Sequence, residues 1–542
     1  MKHEVLVEKV KANKWLIGAI VFFILWKFFL IHILWQDRAV PPEPDDSYNY
    51  IAQITSIADC KLFQECSSTT ISTHYSSGFY YLSYRLFFGL LAHLTGLSSE
   101  AIYHLSFYIG TLFLAFILYP FLQIFSKDKN LIAWSIVFLS FYHGLGEIHG
   151  FFWVVPSFFS VLLFFTLVTL ILREEVPFKI WLWLPLSLLY TFSHPMSFFL
   201  IFTIPLFLVI FSLFTLRINP VFWKRMFFVG SVVLLASSIP NYLSLQNSTE
   251  NDVYSIKGTI IQAQSAVENP IPEEKTAIQS LKSTGRKSHL SETERFLHQK
   301  VGILQNVYFH WIFPHWILIV LFLLCSLLLV YKHAFAILSF YIACFLFFIL
   351  ATFLNPFGFR AAITLWPLTY IIFAFNSWYL IQMVQEKTTG RLRNILLSVI
   401  FLLLTVFFVT NATFAFIFNE NFNVRNNYSI EPALVEYVLH EIPPHETIMF
   451  SPELTIAEMW NNPALRKRAT SYDPESSYIV LTDPTKMPKK ERSLFFQAMQ
   501  RLAETFGTSL SKDRPSPTRP PGPPGYTVER EFGIFTFYKR LP

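Results

Sequence analysis

WLIGAIVFFILWKFFLIHILWQDRAVPPEPDDSYNY, residues 15–50, joins a long apolar run to a proline-rich segment that contains two adjacent aspartates. A helix needs about 20 mainly apolar residues to cross a bilayer core, and residues 15–35 meet that length. The run is long, Lys27 interrupts it, and no small-residue cleavage site follows it. It therefore predicts a retained transmembrane helix rather than a cleaved signal peptide, and it places the chain among helical membrane proteins.

The composition of the whole chain supports a lipid environment. Of its 542 residues, 53% are hydrophobic, only 14% are charged, and 60 are phenylalanine. Soluble domains usually contain about a quarter charged residues, so the composition argues against a purely soluble protein. The four cysteines are too few for a disulfide scaffold and lack the paired spacing of a zinc site.

Apolar stretches of suitable length predict an α-helical multi-pass membrane protein with about eleven transmembrane helices. The predicted helices cover residues 15–35, 103–125, 131–143, 152–172, 180–194, 196–216, 226–243, 315–331, 334–354, 361–383 and 395–417.

Basic residues predict the orientation of these helices, because Lys and Arg collect in short cytoplasmic loops. With the N-terminus inside, every predicted inner loop contains Lys or Arg, whereas the short outer connections contain only Arg360. The C-terminus is then outside. The net charge of +6 is largely a signal of this topology, so it implies no nucleic-acid partner. The inner basic residues are Lys2, Lys9, Lys11, Lys14, Lys127, Lys129, Arg173, Lys179, Arg217, Lys224, Arg225, Lys332, Lys387, Arg391 and Arg393.

This topology divides the chain into three parts. A cytoplasmic N-terminus (1–14) precedes a transmembrane domain (15–417), which carries large extracytoplasmic loops at 36–102 and 244–314. Residues 418–542 then form a soluble extracytoplasmic domain. Helices and strands alternate in that domain, which predicts a small α/β fold with a proline-rich loop at 515–524.

Within the C-terminal domain, the pattern predicts particular elements. They are helices at Glu431–His440 and Glu491–Phe506, and strands at Thr447–Ser451, Tyr478–Thr482 and Tyr526–Lys539 around Gly533. In the first outer loop, the amphipathic stretch Phe79–Leu94 predicts a helix in the membrane interface, with a further transmembrane span as the alternative.

Asp45 and Asp46 directly follow the first helix, in PPEPDDSYNYIAQI. Two adjacent carboxylates at a membrane surface can divide two tasks: one accepts a proton from a hydroxyl, and the other holds a metal ion or a cationic group. The prolines before them restrict the backbone of the approach. The same pair can instead cap a helix that begins near Tyr48, because Asp is a favoured N-cap residue.

A second acidic motif lies in the next short outer loop, HGLGEIHG, which contains Glu147 and His149. Together with Asp46, these two side chains could bind one cation if the loops fold together. Oxygen ligands and one imidazole suit Mg²⁺ or Mn²⁺, and Mn²⁺ tolerates the imidazole better. The alternative is an exposed polar turn set by the neighbouring glycines.

His194 and Arg360 are candidates for binding the donor phosphate. His194 precedes Pro195 at the predicted outer end of the fifth helix, where a histidine can bind a phosphate or simply accompany a kink. Arg360 stands in a short outer loop, where the charge rule disfavours arginine. It can make a bidentate contact with a lipid-linked phosphate, or it can anchor the tenth helix at the headgroups.

Several remaining patterns narrow the function. Cys60 and Cys66 share the first outer loop and could form a disulfide on an oxidising face. No P-loop, Gly-rich dinucleotide turn, GxSxG or HExxH motif occurs. Few charges lie in mid-helix, where an ion-coupled transporter would keep them, and Lys27 is an exception that could extend to the inner surface. Polar residues concentrate at the outer face instead, which favours surface chemistry.

The chain resembles GT-C glycosyltransferases. That class includes protein O-mannosyltransferases, the lipid A aminoarabinose transferase and oligosaccharyltransferase catalytic subunits. The resemblance rests on the inside N-terminus, the Asp45-Asp46 pair and the stretch YSSGFYYLSYRLFFGLLAHLTGLSSEAIYHL (75–105), which is similar to the interfacial helix of that family. Glu147-x-His149 stands where oligosaccharyltransferase-like members keep a second acidic motif. The tail from SIEPALVEYVLHEIPPHETIMFSPE is similar to periplasmic tails of bacterial members.

The resemblance implies transfer of a sugar from a polyprenyl-phosphate-type donor to an acceptor hydroxyl on the outer membrane face, with Asp45 or Asp46 as the general base. It also implies a bacterial inner membrane, with the C-terminus in the periplasm. The chain departs from the family at His149, where a carboxylate is usual. It also lacks a WWDYG motif, which argues against protein N-glycosylation. The alternatives are a transporter or flippase of lipid-linked glycans, and a non-catalytic membrane scaffold.

Overall fold

The computed structural model describes part of the chain. The described residues are 13–35, 50–51, 54–55, 57–58, 82–145, 148–149, 155–194, 196–215, 219–247, 301, 326–354, 361–418, 424–425, 432–446, 448–450, 469–470, 476–483, 486, 491–492, 523, 525–533 and 535–541.

Helices make up most of the described chain up to residue 418, and a short hairpin interrupts them. In chain order the elements are α1 (Lys14–Trp35), α2 (Leu82–Thr95), α3 (Ser99–Leu122), α4 (Lys129–Ser140), β1 (Gly144–Leu145), β2 (Ile148–His149), α5 (Pro156–Leu172), α6 (Ile180–Thr191), α7 (Met196–Leu200), α8 (Thr203–Thr215), α9 (Pro220–Asn247), α10 (Phe335–Leu354), α11 (Ala362–Lys387) and α12 (Gly390–Phe418).

The predicted spans coincide with these helices. A helix lies at each predicted span except 315–331, of which only residues 326–331 are described, and these are helical. Among the described residues, six segments are long and apolar enough to cross a membrane: Lys14–Trp35, Ser99–Leu122, Met196–Thr215, Pro220–Ser238, Phe335–Phe353 and Gly390–Val409. The chain therefore has the helices of a multi-pass membrane protein, and the total of eleven spans stays a prediction.

α1 and α4 start at the same end of the helix bundle and run side by side in the same direction. Lys129 Nζ donates a hydrogen bond to Asn13 Oδ1 (2.8 Å) where both helices begin. Further along, Lys27 Nζ donates to the main-chain oxygen of Tyr142 (2.6 Å), just after α4 ends. We call the end where both helices begin the Lys14 end, and the opposite end the Trp35 end.

α11 packs on another side of α4 and runs in the opposite direction. Trp378 Nε1 donates to Asp128 Oδ2 (3.2 Å) at the Lys14 end. The rings of Tyr370 and Tyr142 lie 5.6 Å apart toward the Trp35 end. α4 is therefore flanked by α1 and α11, and both contacts extend over most of its length.

The charge rule assigns several basic loops to the cytoplasm. Those that contacts link to one another lie at the Lys14 end. Lys332 lies over the Tyr379 ring (6.0 Å), next to the Trp378 contact with Asp128. Lys387 in turn lies 6.0 Å from the Tyr331 ring. This grouping agrees with the predicted alternation of loops, and the assignment of that end to the cytoplasm stays a prediction.

Arg225 joins three helices near the basic loops. Its side chain is buried, and its guanidinium donates to main-chain oxygens at and beyond the C-terminus of α5, including Arg173 O (2.6 Å) and Ile171 O (3.2 Å). It also lies 5.8 Å from the Trp183 ring of α6. Because the last carbonyls of a helix lack intrahelical donors, this arginine caps α5 from the neighbouring helix α9.

The C-terminal region contains a mixed sheet and one described helix. The elements are β3 (Val424–Arg425), α13 (Pro432–His440), β4 (Ile448–Phe450), β5 (Ala469–Thr470), β6 (Tyr478–Thr482), β7 (Glu491–Arg492), β8 (Tyr526–Phe532) and β9 (Phe535–Arg540). Five strands pair in the order β5-β4-β6-β9-β8, in which β4 is parallel to both β5 and β6, and β9 is antiparallel to β6 and β8.

Most predicted elements of this region are present in the structure. α13, β4, β6 and the β8–β9 hairpin lie where the sequence predicts them, and Gly533 takes a positive φ of 53° at the hairpin turn, which favours glycine. The start of the predicted helix Glu491–Phe506 is wrong, because Glu491 and Arg492 form β7 and pair with β3. Residues 493–506 lie outside the described residues. The boundaries of the C-terminal domain stay a prediction.

Candidate functional site

The α4 helix is too short to cross a membrane. It has 12 residues and is about 18 Å long, whereas a bilayer core is about 30 Å thick. α1 starts level with α4 but continues past Lys27 to Trp35, a further rise of about 12 Å. α11 likewise extends about 12 Å from Tyr370 to its first residue, Ala362. α4 therefore ends short of α1 and α11 on the side of the Trp35 end. We call the space between the end of α4 and the Trp35 end the α4 step.

A short hairpin lies in the α4 step. Its two strands pair antiparallel, with Gly144 opposite His149 and Leu145 opposite Ile148. β2 lies beside α11, and β1 lies beside α12. This register leaves Gly146 and Glu147 as the connection, which is outside the described residues. Non-helical backbone at membrane depth is tolerated where protein buries it or where it lines a water-filled cavity, so the hairpin marks such a place.

The floor of the α4 step contains two buried basic side chains. Lys27 has no exposed surface, and its ammonium bonds to the Tyr142 carbonyl and lies 5.7 Å from the Phe23 ring. His143 is also buried, and its Nδ1 lies 2.8 Å from the main-chain oxygen of Phe141. A carbonyl can only accept, so Nδ1 carries the hydrogen and the neutral ring keeps its lone pair at Nε2.

Lys27 corrects an expectation from the sequence. The lysine does not extend to the inner surface: it lies past the midpoint of α1, and its ammonium is bound inside the bundle. The sequence signal was present, because Lys27 interrupts an otherwise apolar run and the predicted third span is short. Sequence reasoning missed the connection because Lys27 and Tyr142 are 115 residues apart.

An aromatic cluster at the Trp35 end holds both flanks of the Asp45-Asp46 segment. The Trp35 ring lies 6.1 Å from Tyr103 and 4.3 Å from His104, at the start of α3. Beyond the aspartates, Tyr50 lies 6.3 Å from Tyr103 and 6.0 Å from Tyr84 of α2. The residues on either side of the aspartates therefore pack against the same tyrosine.

α2 packs closely on the segment that follows the aspartates. A Cβ atom added to Gly89 would lie 2.4 Å from Ile57 Cβ, so only glycine fits at this contact. The main-chain N–H of Ser83 donates to Phe192 O (3.0 Å), and the Tyr84 ring lies 6.1 Å from Phe159 of α5. The predicted amphipathic helix is thus present at Leu82–Thr95, and it links the Trp35 cluster to the region of His194.

His194 is buried and has a defined tautomer. Its Nδ1 accepts a hydrogen bond from the main-chain N–H of Met196 (3.1 Å), so in the neutral ring Nε2 carries the hydrogen. His194 is therefore a donor at Nε2, whereas His143 has its lone pair there. A donor at this position suits the oxygen of a phosphate.

Three buried serines lie beside His194 and form a directed chain. Ser193 Oγ donates to Tyr190 O (2.6 Å), so it accepts from Ser197 Oγ (3.0 Å). Ser197 then accepts from Ser160 Oγ (2.8 Å). The chain ties α5 to the segment between α6 and α7 and holds the backbone around His194.

The structure describes few of the predicted site residues. Asp45, Asp46, Glu147 and Arg360 lie outside the described residues, as do Cys60 and Cys66. His149 is described as part of β2, and its backbone lies in the α4 step. His194 lies on the α2–α5 side of the Trp35 end. Among the described residues, no three His, Cys, Asp or Glu side chains are grouped to hold a metal ion.

Comparisons with known proteins assign no family to this chain. No family model and no curated protein match it. Among solved structures, it is similar to the archaeal oligosaccharyltransferase AglB from Archaeoglobus fulgidus, determined with an inhibitory peptide and a dolichol-phosphate. The TM-score is 0.49 with 11% sequence identity, covering 86% of this chain and 69% of that chain. A likeness below a TM-score of 0.5 establishes neither a shared fold nor a shared activity.

Proposed function

We propose that the chain is a membrane glycosyltransferase. It moves a sugar from a polyprenyl-phosphate-type donor to an acceptor hydroxyl at the extracytoplasmic face, and Asp45 or Asp46 is the general base. In this proposal the Trp35 end faces outward, since the basic loops meet at the opposite end. The proposal places the chain in a bacterial inner membrane.

One observation carries the proposal: the described neighbours of the predicted motifs surround the Trp35 end. Trp35 and Tyr50 flank the aspartate pair and both contact Tyr103. Asp46 is four residues before Tyr50, so covalent geometry keeps their Cα atoms within about 14 Å of each other. β2 lies in the α4 step, and Ala361, which follows Arg360, is at the start of α11, one wall of that step.

For the proposed sugar transfer, the main tasks of the protein are positioning and proton transfer. A polyprenyl phosphate is a good leaving group, so the protein has to orient the acceptor, remove its proton and neutralise the departing phosphate. An aspartate acting as general base contributes about 10²–10⁴-fold. Arg360 can neutralise phosphate oxygens by a charge-assisted contact, and His194 can donate to them from Nε2.

The proposal includes a divalent cation, but no step of the proposed reaction depends on it. Asp46, Glu147 and His149 would supply two carboxylates and one imidazole, a donor set that suits Mn²⁺ or Mg²⁺. When bound, such an ion would neutralise charge on the donor phosphate. The proton transfer to Asp45 or Asp46 and the contact from His194 are made by the chain itself.

The test compares carboxylate variants within one segment. Asp45→Asn and Asp46→Asn are expressed in membranes, and transfer is measured with a panel of radiolabelled polyprenyl-linked sugars. We expect one of them to lose at least about 100-fold in rate, the lower range for general-base catalysis. Glu43→Gln is the matched control, because it removes a nearby carboxylate that has no assigned role. Full activity in both aspartate variants, at normal protein level, would remove the catalytic assignment.

The transporter alternative is separable in the same membranes. Among the described helices, the buried lysine and arginine side chains are Lys27 and Arg225, and both bind main-chain oxygens of a neighbouring segment. They therefore serve helix ends rather than line a path. A flippase would move the lipid-linked donor across the bilayer without releasing its sugar, and the scaffold alternative predicts neither activity.

A further inference from the structure

The α4 end poses an energetic problem inside the membrane. The last carbonyls of a helix have no intrahelical donor, and unsatisfied main-chain groups cost several kcal/mol in a lipid environment. α4 reaches only about 18 Å from the Lys14 end, so these carbonyls lie at membrane depth. Burying a lysine in an apolar helix is also costly, and such side chains usually bind one another or main-chain carbonyls.

Lys27 and His143 together bind the carbonyls that follow α4. Lys27 Nζ donates to Tyr142 O at 2.6 Å, and His143 Nδ1 donates to Phe141 O at 2.8 Å. Phe138 O and Leu139 O already accept from the main-chain N–H groups of Phe141 and Tyr142 (3.0 and 3.1 Å). Lys27 and His143 therefore satisfy two carbonyls further along the chain, and Lys27 does so from another helix.

The carbonyl that Lys27 binds directly precedes the hairpin. Tyr142 is two residues before Gly144, the first residue of β1. We propose that Lys27 is a positioning residue: its bond to Tyr142 sets the depth at which the hairpin with Glu147 and His149 leaves α4. The effect on catalysis rests on the function proposed above, whereas the effect on the hairpin does not.

Two neighbours restrict how far the α4 end can move without Lys27. The Phe141 ring stacks on Phe408 of α12 at 4.4 Å and lies 5.6 Å from Trp26. These rings keep Phe141 in place, so loss of the ammonium should release Tyr142 and the hairpin rather than unfold α4. A local readout at the hairpin is therefore more informative than overall stability.

The experiment measures access to the hairpin with a membrane-impermeant maleimide. Leu145→Cys is introduced into a full-length chain whose four native cysteines are replaced by serine. Labelling rates at this cysteine are compared among three chains: the parent, which keeps Lys27, and the variants Lys27→Met and Lys27→Arg. Lys14→Met is the control, because it removes a lysine from the same helix where it does not contact the hairpin. Sugar transfer is measured in parallel as separate kcat and KM values.

We expect Lys27→Met to raise the labelling rate about tenfold or more, because the hairpin is released when one buried hydrogen bond is lost. Lys27→Arg should recover most of the difference, and Lys14→Met should match the parent chain. For transfer, kcat should fall more than the KM for the donor rises. If Lys27→Met does not accumulate, Lys27→Gln carries the same test, because its shorter neutral side chain also loses the bond.

Two results would overturn the inference. One is unchanged labelling in Lys27→Met, or in Lys27→Gln where that variant takes its place; if donor KM alone then rises, Lys27 is a direct phosphate ligand. The other is an equal change in Lys14→Met. If the parent chain transfers no sugar from any donor, the proposed function fails while the labelling result still decides the role of Lys27.

Discussion

Arg225 and Lys27 do similar work in two different parts of the molecule. Both are buried basic side chains that donate to main-chain oxygens at or after the C-terminus of a neighbouring helix. Arg225 binds several carbonyls at and beyond the C-terminus of α5, among the basic loops. Lys27 binds the Tyr142 carbonyl beyond α4, inside the bundle and next to the hairpin. Arg225 therefore holds together the helices beside the basic loops, whereas Lys27 holds the residue from which the chain enters the hairpin.

The largest effect on stability should come from Arg225. Replacing it with Leu leaves several buried carbonyls without a donor, which should lower the free energy of unfolding by about 3 kcal/mol or more. Thermal unfolding in detergent measures this loss, and transfer per folded molecule should be nearly unchanged. A clear loss of transfer per folded molecule would contradict the distinction between Arg225 and Lys27.

Gly89 offers a steric test at the Trp35 end. Gly89→Ala brings a Cβ to 2.4 Å from Ile57 Cβ, so we expect overpacking to cost about 1–3 kcal/mol. Gly18→Ala is the matched control, because nothing lies within 4 Å of the added atom and alanine favours the helix. Paired melting curves give the difference. If both variants melt alike, α2 does not pack on the segment after the aspartates in this way.

The His194 tautomer predicts which replacement keeps donor binding. His194→Gln can place an amide N–H near the position of Nε2, whereas the shorter amide of His194→Asn reaches only the position of Nδ1. If Nε2 contacts the donor phosphate, His194→Asn should raise the donor KM about tenfold, and His194→Gln should raise it less. Equal KM values in both variants would assign His194 to backbone support alone.

The smallest effect should come from the serine chain. Ser197 takes part in two of its hydrogen bonds and Ser160 in one. Ser197→Ala should therefore cost about 1–2 kcal/mol, and Ser160→Ala should cost less. Melting temperatures of the two variants check the order. The opposite order would contradict the central place of Ser197 in the chain of three hydroxyls.

Local patterns were sufficient for much of the fold. Apolar length predicted the helices, including α4, which is too short to fill a bilayer by itself. The alternation of helical and strand patterns in the tail likewise predicted α13, β4 and β6 from local sequence. Glu491 was misassigned because its strand pairs with Val424–Arg425, and such pairing between distant segments leaves no local periodicity.

The sequence by itself determined that this chain is helical, that lipid surrounds it, and which residues carry charge near helix ends. These properties follow from composition and from spacing along one segment. Only the tertiary structure decided that α4 ends about 12 Å below the end of α1, and that Lys27 meets Tyr142 across 115 residues. The relative depth of two helices depends on how their side chains pack together. No single segment encodes that depth.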